Sequence, residues 1–185
     1  MSTPDSTADS PPDAEQLCVA LAAQMQPRLD AARVALVGIH TGGVWVAERL
    51  RALLKLATPV GAIDVAFHRD DYGQGARHGQ QGLPAGARPS HLPFEVEGAH
   101  IVIVDDVLYT GRTIRAALNE LFDYGRPAKV ELAVLVDRGG RELPIAADYC
   151  AHGLRLPPTQ TLELTRAADG TDGTDGQLSF RLTEQ

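Results

Sequence analysis

Two adjacent carboxylates, Asp105 and Asp106, follow the apolar run Ile101-Val-Ile-Val104, and Thr110, Gly111 and Thr113 come a few positions later. The apolar run reads as a buried strand, and the residues after Gly111 read as a helix. Free N–H groups at a helix N-terminus, aided by the helix dipole, bind phosphate. Gly111 lets the backbone approach an anion closely, and the two threonine hydroxyls add hydrogen bonds. Side chains of consecutive strand residues diverge, so Asp105 and Asp106 have different tasks. At least one can reach sugar hydroxyls or a hydrated magnesium ion. Acids ahead of a helix are also ordinary caps, and for an isolated Asp-Asp that reading is the better one. The complete string favours a phosphorylated sugar.

The elements that position these residues alternate along the chain. Asp13–Pro27 reads as a helix capped by Asp13, with Leu17, Leu21 and Met25 along one stripe. Val34–Ile39 is a short apolar run, as expected of a strand buried on both faces. Thr41-Gly-Gly43 breaks it, and Val44–Leu56 reads as a helix. Strand candidates follow at Val60–Phe67, Ala99–Asp106 and Val130–Val136, with a helix over Gly111–Tyr124 that Gly125 and Pro127 terminate. A last strand is expected over Gln177–Leu182. This alternation predicts an α/β domain with a central, mostly parallel sheet flanked by helices. Ligands of such sheets bind beyond the carboxyl ends of the strands. Three of those ends carry unusual residues: Thr41-Gly-Gly43, Asp105-Asp106 and Asp137-Arg138.

Residues 1–12 are polar and proline-rich and are expected to be a disordered tail, leaving 13–185 as one domain. Residues 68–94 are rich in glycine and proline and are expected to be a long loop, functional or disordered. The Asp-Gly-Thr repeat near the C-terminus is too short for a calcium-binding roll and reads as a turn.

The formal charge of −7 arises at the termini, because residues 16–166 hold 16 acids and 16 bases. A chain built for nonspecific nucleic-acid binding is expected to be basic, although a local basic face is compatible with this balance. No apolar run spans a bilayer and no secretory signal is visible. Cys18 and Cys150 do not form a disulfide framework, so the expected compartment is the reducing cytoplasm, with both cysteines as small buried apolar residues. His40, His68 and His152 lack metal-ligand spacing.

The stretch Val102, Ile103, Val104, Asp105, Asp106, Val107, Leu108, Tyr109, Thr110, Gly111, Arg112, Thr113, Ile114 resembles the 5-phosphoribosyl 1-diphosphate (PRPP) binding motif of type I phosphoribosyltransferases. In the form Val-Asp-Asp-Val-Leu-Tyr-Thr-Gly-Arg-Thr it is similar to the PyrR family. That family comprises pyrimidine operon regulators with uracil phosphoribosyltransferase activity. Val37–Gly43, Asp64–Asp71, Tyr124–Pro127 and Leu132–Pro144 agree with it as well, and the Asp-Arg-Gly-x-Arg-Glu-Leu-Pro segment narrows the likeness to PyrR. The resemblance covers roughly residues 15–165.

It implies a type I phosphoribosyltransferase-like fold with a small hood (138–160) and a mobile loop (68–94). The implied reaction converts uracil and PRPP to UMP and diphosphate with Mg²⁺ carried by PRPP, Asp105 or Asp106 being possible ligands. Asp105 and Asp106 would face the ribose hydroxyls, and Tyr109–Thr113 the 5′-phosphate. Thr41, Gly42 and Gly43 would hold pyrophosphate, Arg69 would help neutralise it, and Arg138 would lie near the base. The resemblance also implies a homo-oligomer and, as a partner, the leader mRNA of a pyrimidine operon, with transcription attenuation as the regulatory output. The chain departs from the family at Gly42, where an arginine is usual, at Gly140, where histidine is usual, and over Ala151–Thr159. These changes remove basic groups from the surface used for RNA. Two alternatives stay open: a regulator or sensor with little catalysis, and a phosphoribosyltransferase for another base.

Overall fold

The computed structural model describes residues 10–65, 89–167 and 176–184. The expected tail therefore lies outside the described residues up to position 9, as does the loop from 68 to 88 with Arg69. Helix α1 (Ala14–Met25) begins at Asp13, whose side chain accepts the Gln16 N–H. It ends with its apolar stripe at Met25, two residues short of the expected Pro27, and passes into a 3-10 turn over Gln26–Arg28. Pro27, which has no N–H to give to an α-helical ladder, favours that tighter ending.

Five strands form one parallel sheet in the order β2-β1-β3-β4-β5. These are β1 (Val34–Ile39), β2 (Gly61–Ile63), β3 (His100–Leu108), β4 (Lys129–Asp137) and β5 (Tyr149–Gly153). Every residue of β1 is buried, as a central parallel strand covered on both faces requires. Helix α1 and helix α2 (Gly42–Leu54) cover one face, packing Leu21, Met25, Val46 and Leu50 on Leu36, Val102 and Leu135. Helix α3 (Arg112–Asp123) covers the other with Ile114, Ala117 and Leu121 on Val37, Ile103 and Val134. The expected parallel sheet and flanking helices are therefore present.

Three expectations change in detail. The strand expected over 60–67 is paired only over Gly61–Ile63, and Ala66 and Phe67 lie outside the described residues. Part of the segment expected as hood, Tyr149–Gly153, is β5, the sheet edge beside β4. The element standing over the carboxyl ends of the strands is instead an antiparallel pair, β6 (Gln160–Arg166) with β7 (Leu178–Glu184). Its Leu162, Leu164, Leu178 and Phe180 join the core on the α1–α2 side. Cys18 is fully buried, but Cys150 is only half-buried.

At the opposite end of the sheet, Glu131 is 3% exposed. It meets His100 Nε2 at 2.6 Å, Lys129 Nζ at 2.8 Å and the Tyr149 hydroxyl at 3.3 Å, with Arg28 at 3.9 Å. Burial raises its pKa, but hydrogen bonds from Lys129 and His100 and their charges outweigh it and hold the carboxyl below its ordinary value of 4.5. A depressed pKa contributes stability that is complete above the unfolded value and fades as pH falls through the folded one. Glu131→Gln is expected to cost about 1 kcal/mol at neutral pH, because the buried carboxylate gives up charge-assisted hydrogen bonds to Lys129 and His100, whose own side chains reach solvent. The Tm gap to the parent protein should narrow on acidification below 4.5; a gap of constant width in calorimetric scans across that range would refute the assignment.

No helix among the described residues is long and apolar enough to cross a membrane.

Candidate active site

The strand order reverses direction between β1 and β3, and at such a switch point the loops leaving two neighbouring strands diverge to opposite faces and open a crevice. Here the chain leaves β1 through His40–Thr41 into α2 on one face. It leaves β3 through Tyr109–Gly111 into α3 on the other. Pairing of β1 with β3 ends at Gly38–Val104, whereas pairing of β3 with β4 continues to Leu108–Asp137. Asp105 and Asp106 therefore lie inside β3 and not at its tip, as the sequence suggests, yet they are uncovered on the β1 side.

A cavity of about 390 Å³ fills this crevice, a size suited to a small ligand. Thr41, Gly42 and Trp45 line one side, Asp105, Asp106 and Val107 the floor, Tyr109 and Thr113 a second side, and Leu162, Glu163 and Leu164 of β6 a third. The structure thus brings together the Thr41–Gly43 turn, both acids and the α3 turn, which the sequence separates by some sixty positions.

The glycines in the first turn are sites of close approach. A Cβ on Gly43 would overlap the Val104 carbonyl oxygen and sit 3.1 Å from Asp105 Cα. Helix α2 can lie this close to β3 because Gly43 has no side chain, and the helix consequently starts at Gly42, two residues earlier than expected. A Cβ on Gly42 would come within 2.5 Å of Asp106 Oδ2, so the Asp106 carboxylate rests against this turn. The His40–Thr41 peptide bond is cis.

The acids divide as their alternation requires. Asp105 is 6% exposed, and its Oδ1 accepts the Asp106 N–H at 3.0 Å. Asp106 is more open, and among the described residues its carboxylate accepts no hydrogen bond. On the other side Gly111 caps α3 at φ 93°, a left-handed conformation that favours glycine. Thr110, 5% exposed, receives the Arg112 N–H on Oγ1 at 3.2 Å.

The helix ends differ in a telling way. Helix α1, remote from the cavity, has a carboxylate cap in Asp13. Helices α2 and α3, which open at the cavity, have neither a side-chain cap nor an acid in the first turn. Their leading amides, apart from the Arg112 N–H that Thr110 Oγ1 accepts, are the groups an anion satisfies.

Arg138 is 8% exposed and stacks on the Tyr109 ring, 4.1 Å from its centroid. Its Nη2 donates to the Gln160 carbonyl at 2.9 Å, while its buried Nε has no acceptor among the described residues. It sits behind Tyr109 and is not among the residues lining the cavity. Arg69 lies outside the described residues. The wall formed by Leu162, Glu163 and Leu164, and the position of Trp45, are absent from the sequence-derived candidates. The alternation Thr-Leu-Glu-Leu-Thr over 161–165 is the signal that marks a half-buried strand there.

No cluster of three or more His, Cys, Asp or Glu side chains suited to a metal occurs among the described residues. Two adjacent carboxylates beside an open cavity fit a cation that arrives with most of its ligands supplied by a polyphosphate substrate.

Comparison with known proteins agrees with this geometry. Residues 9–152 match the model of the phosphoribosyl transferase domain. The chain is 56% identical over 133 residues to the bifunctional protein PyrR of Nitrosococcus oceani, covering 71% of this chain and 72% of that protein. It is 52% identical over 161 residues to the protein of the same name from Ralstonia nicotianae, covering 85% and 88%. Among solved structures it resembles a hypoxanthine phosphoribosyltransferase from Staphylococcus aureus, with a TM-score of 0.58 and 20% identity over 77% of this chain and 73% of that one. A hypoxanthine-guanine phosphoribosyltransferase from Bacillus anthracis gives 0.59 and 15%, over 83% and 87%. At that identity the structural likeness speaks for the fold alone. With the family model spanning most of its length and relatives above half identity, the chain belongs to the phosphoribosyltransferases and, within them, to the PyrR family.

Proposed function

We propose that this chain transfers the phosphoribosyl group of PRPP to uracil, giving UMP and diphosphate, and that it also regulates pyrimidine genes through mRNA, as the word bifunctional in its relatives' name suggests. The observation that carries the enzymatic reading is the pair of uncapped helix N-termini, α2 and α3, facing each other across Asp105 and Asp106. PRPP has phosphate groups at both ends of a ribose, and this arrangement offers an anion cradle at each end with carboxylates for hydroxyls between.

In this reading the amides of Tyr109–Thr113 take the 5′-phosphate, helped by the Thr110 and Thr113 hydroxyls. The Thr41–Gly43 turn takes the diphosphate, and Asp106, resting against that turn, takes the ribose hydroxyls. Departure of diphosphate leaves positive charge on the ribose ring, which the Asp105 and Asp106 carboxylates stabilise from fixed positions. Asp105 or Asp106 would be in reach of a Mg²⁺ carried in by PRPP, which would supply charge neutralisation for the leaving group. The base enters between Tyr109 and β6. Among the described residues β6 has one ladder partner, β7, which leaves outward amides and carbonyls on its other edge, the Gln160 carbonyl being taken by Arg138. A pyrimidine presents matching donors and acceptors. Arg138 belongs to this side, and its unpartnered Nε supports that placement. Arg69 is assigned to the diphosphate, and the 68–94 loop to excluding water, from the family resemblance alone.

The hypoxanthine enzymes of like fold do not favour a purine here, because at 15–20% identity they speak for the fold alone. The regulatory role implies binding to a pyrimidine leader mRNA, a cytoplasmic location and a homo-oligomer. It predicts RNA affinity that falls steeply with salt. The deciding experiment is conversion of radiolabelled uracil with PRPP and Mg²⁺, run beside hypoxanthine and orotate. UMP formation with little product from the other two bases is expected; preferential use of hypoxanthine would overturn the uracil assignment.

A further inference from the structure

The segment after β4, Asp137–Ile145, touches the α3 turn at nearly every polar position. The Arg138 N–H donates to the Leu108 carbonyl at 3.0 Å, and the Glu142 and Leu143 N–H groups both donate to the Thr110 carbonyl at 3.0 and 3.2 Å. The Glu142 carboxylate receives Arg112 Nε at 2.9 Å and Nη2 at 2.6 Å. That pair is about half exposed at both ends and contributes little by itself.

Arg141 differs. Its side chain is 22% exposed and makes three close hydrogen bonds, beside a longer one of 3.4 Å from Nη1 to the Gly139 carbonyl. Nη1 donates to the Tyr109 carbonyl, Nη2 to Asp137 Oδ2 at 2.5 Å, and Nε to the Ile145 carbonyl at 3.0 Å. Asp137 is itself fixed by the Gly139 N–H at 2.9 Å. A planar guanidinium with five donors can hold all three groups at once, whereas an ammonium cannot do so in the same geometry.

We propose that Arg141 is a positioning residue which, anchored by Asp137, grips the Tyr109 carbonyl and fixes the 109–113 turn in its anion-binding shape. The Tyr109 carbonyl shares its planar peptide with the Thr110 N–H, so holding the carbonyl fixes that amide and the start of the turn that leads into α3. Without the grip, the turn samples other orientations, and each PRPP must pay for ordering it. The inference rests on the reading of this turn as the 5′-phosphate cradle.

The test uses the full chain and two variants. Arg141→Gln is expected to raise KM for PRPP about tenfold or more, the scale of effect that follows small misplacement of binding groups. KM for uracil should change less than twofold. Arg141→Lys, which keeps a charge beside Asp137 but has one nitrogen for three acceptors, should recover part of the loss. It also carries the test if Arg141→Gln fails to fold. Equilibrium PRPP binding is read from Trp45, the chain's single tryptophan, which lines the cavity. Amide hydrogen exchange over 108–113 in the free protein should be faster in both variants. A KM for PRPP within twofold of the parent in both variants overturns the proposal. If the parent neither bound nor consumed PRPP, the phosphoribosyl reading would fall. The grip on the turn would then be judged by exchange alone, and unchanged protection would overturn it too.

Discussion

Asp106→Asn is expected to lower turnover about 100-fold, the scale found when one preorganised electrostatic group is removed from an active site, while leaving the fold intact. The asparagine has the same shape, and among the described residues the Asp106 carboxylate accepts no hydrogen bond, so the core loses nothing with its charge. What it loses is an acceptor for the ribose hydroxyls and a negative charge beside a ring that becomes positive as diphosphate departs. The second term grows only toward the transition state, so kcat should fall more than PRPP affinity. Steady-state kinetics together with Trp45 fluorescence separates the two. Asp105→Asn should behave otherwise: Asp105 is buried, and its Oδ1 accepts the Asp106 N–H. That variant is expected to lower Tm as well as rate. An Asp106→Asn enzyme with near-parental kcat would remove Asp106 from the reaction.

Gly43→Ala should damage stability and activity together. The added Cβ meets backbone, the Val104 carbonyl oxygen and Asp105 Cα, and backbone cannot swing aside as a side-chain end can. Overpacking of this kind costs about 1–3 kcal/mol. Relief requires α2 to move away from β3, which carries the Thr41–Gly43 turn away from the two acids. A shift near 1 Å can reduce rate by about 100-fold. Gly153→Ala is the control, because a Cβ there meets nothing within 4 Å, and its effect should stay within about 0.5 kcal/mol. Thermal melts and PRPP turnover of the two variants give the comparison, and parental values for both would show that α2 does not depend on that close approach.

The local chemistry was legible in the sequence because it is short-range. A four-residue apolar run, two acids and a Thr-Gly-x-Thr turn imply strand, carboxylates and an anion-accepting helix start, and no distant contact is needed to see it. Alternation of apolar runs with amphipathic stretches likewise implied the parallel sheet. Boundaries were less legible where distant packing decides them. Thr41-Gly-Gly43 reads locally as a break, but Gly43 fitting against the β3 backbone makes Gly42 the first residue of α2. Asp105 and Asp106 read as a strand tip, but β4 pairs past them to Leu108.

Other features exist only through tertiary contact. The wall formed by Leu162, Glu163 and Leu164 depends on β7, which pairs with β6 from across a stretch outside the described residues. Arg141 serves Tyr109, Asp137 and Ile145, one of them 32 positions away, and nothing in the pattern around residue 141 marks the Tyr109 carbonyl as its acceptor. The sequence by itself marked two short turns and a pair of acids as the candidates for a phosphorylated sugar, because their chemistry is local. Only the folded chain decided how they face one another, because β1 and β3 become neighbours, and their exits diverge, only once the sheet has formed.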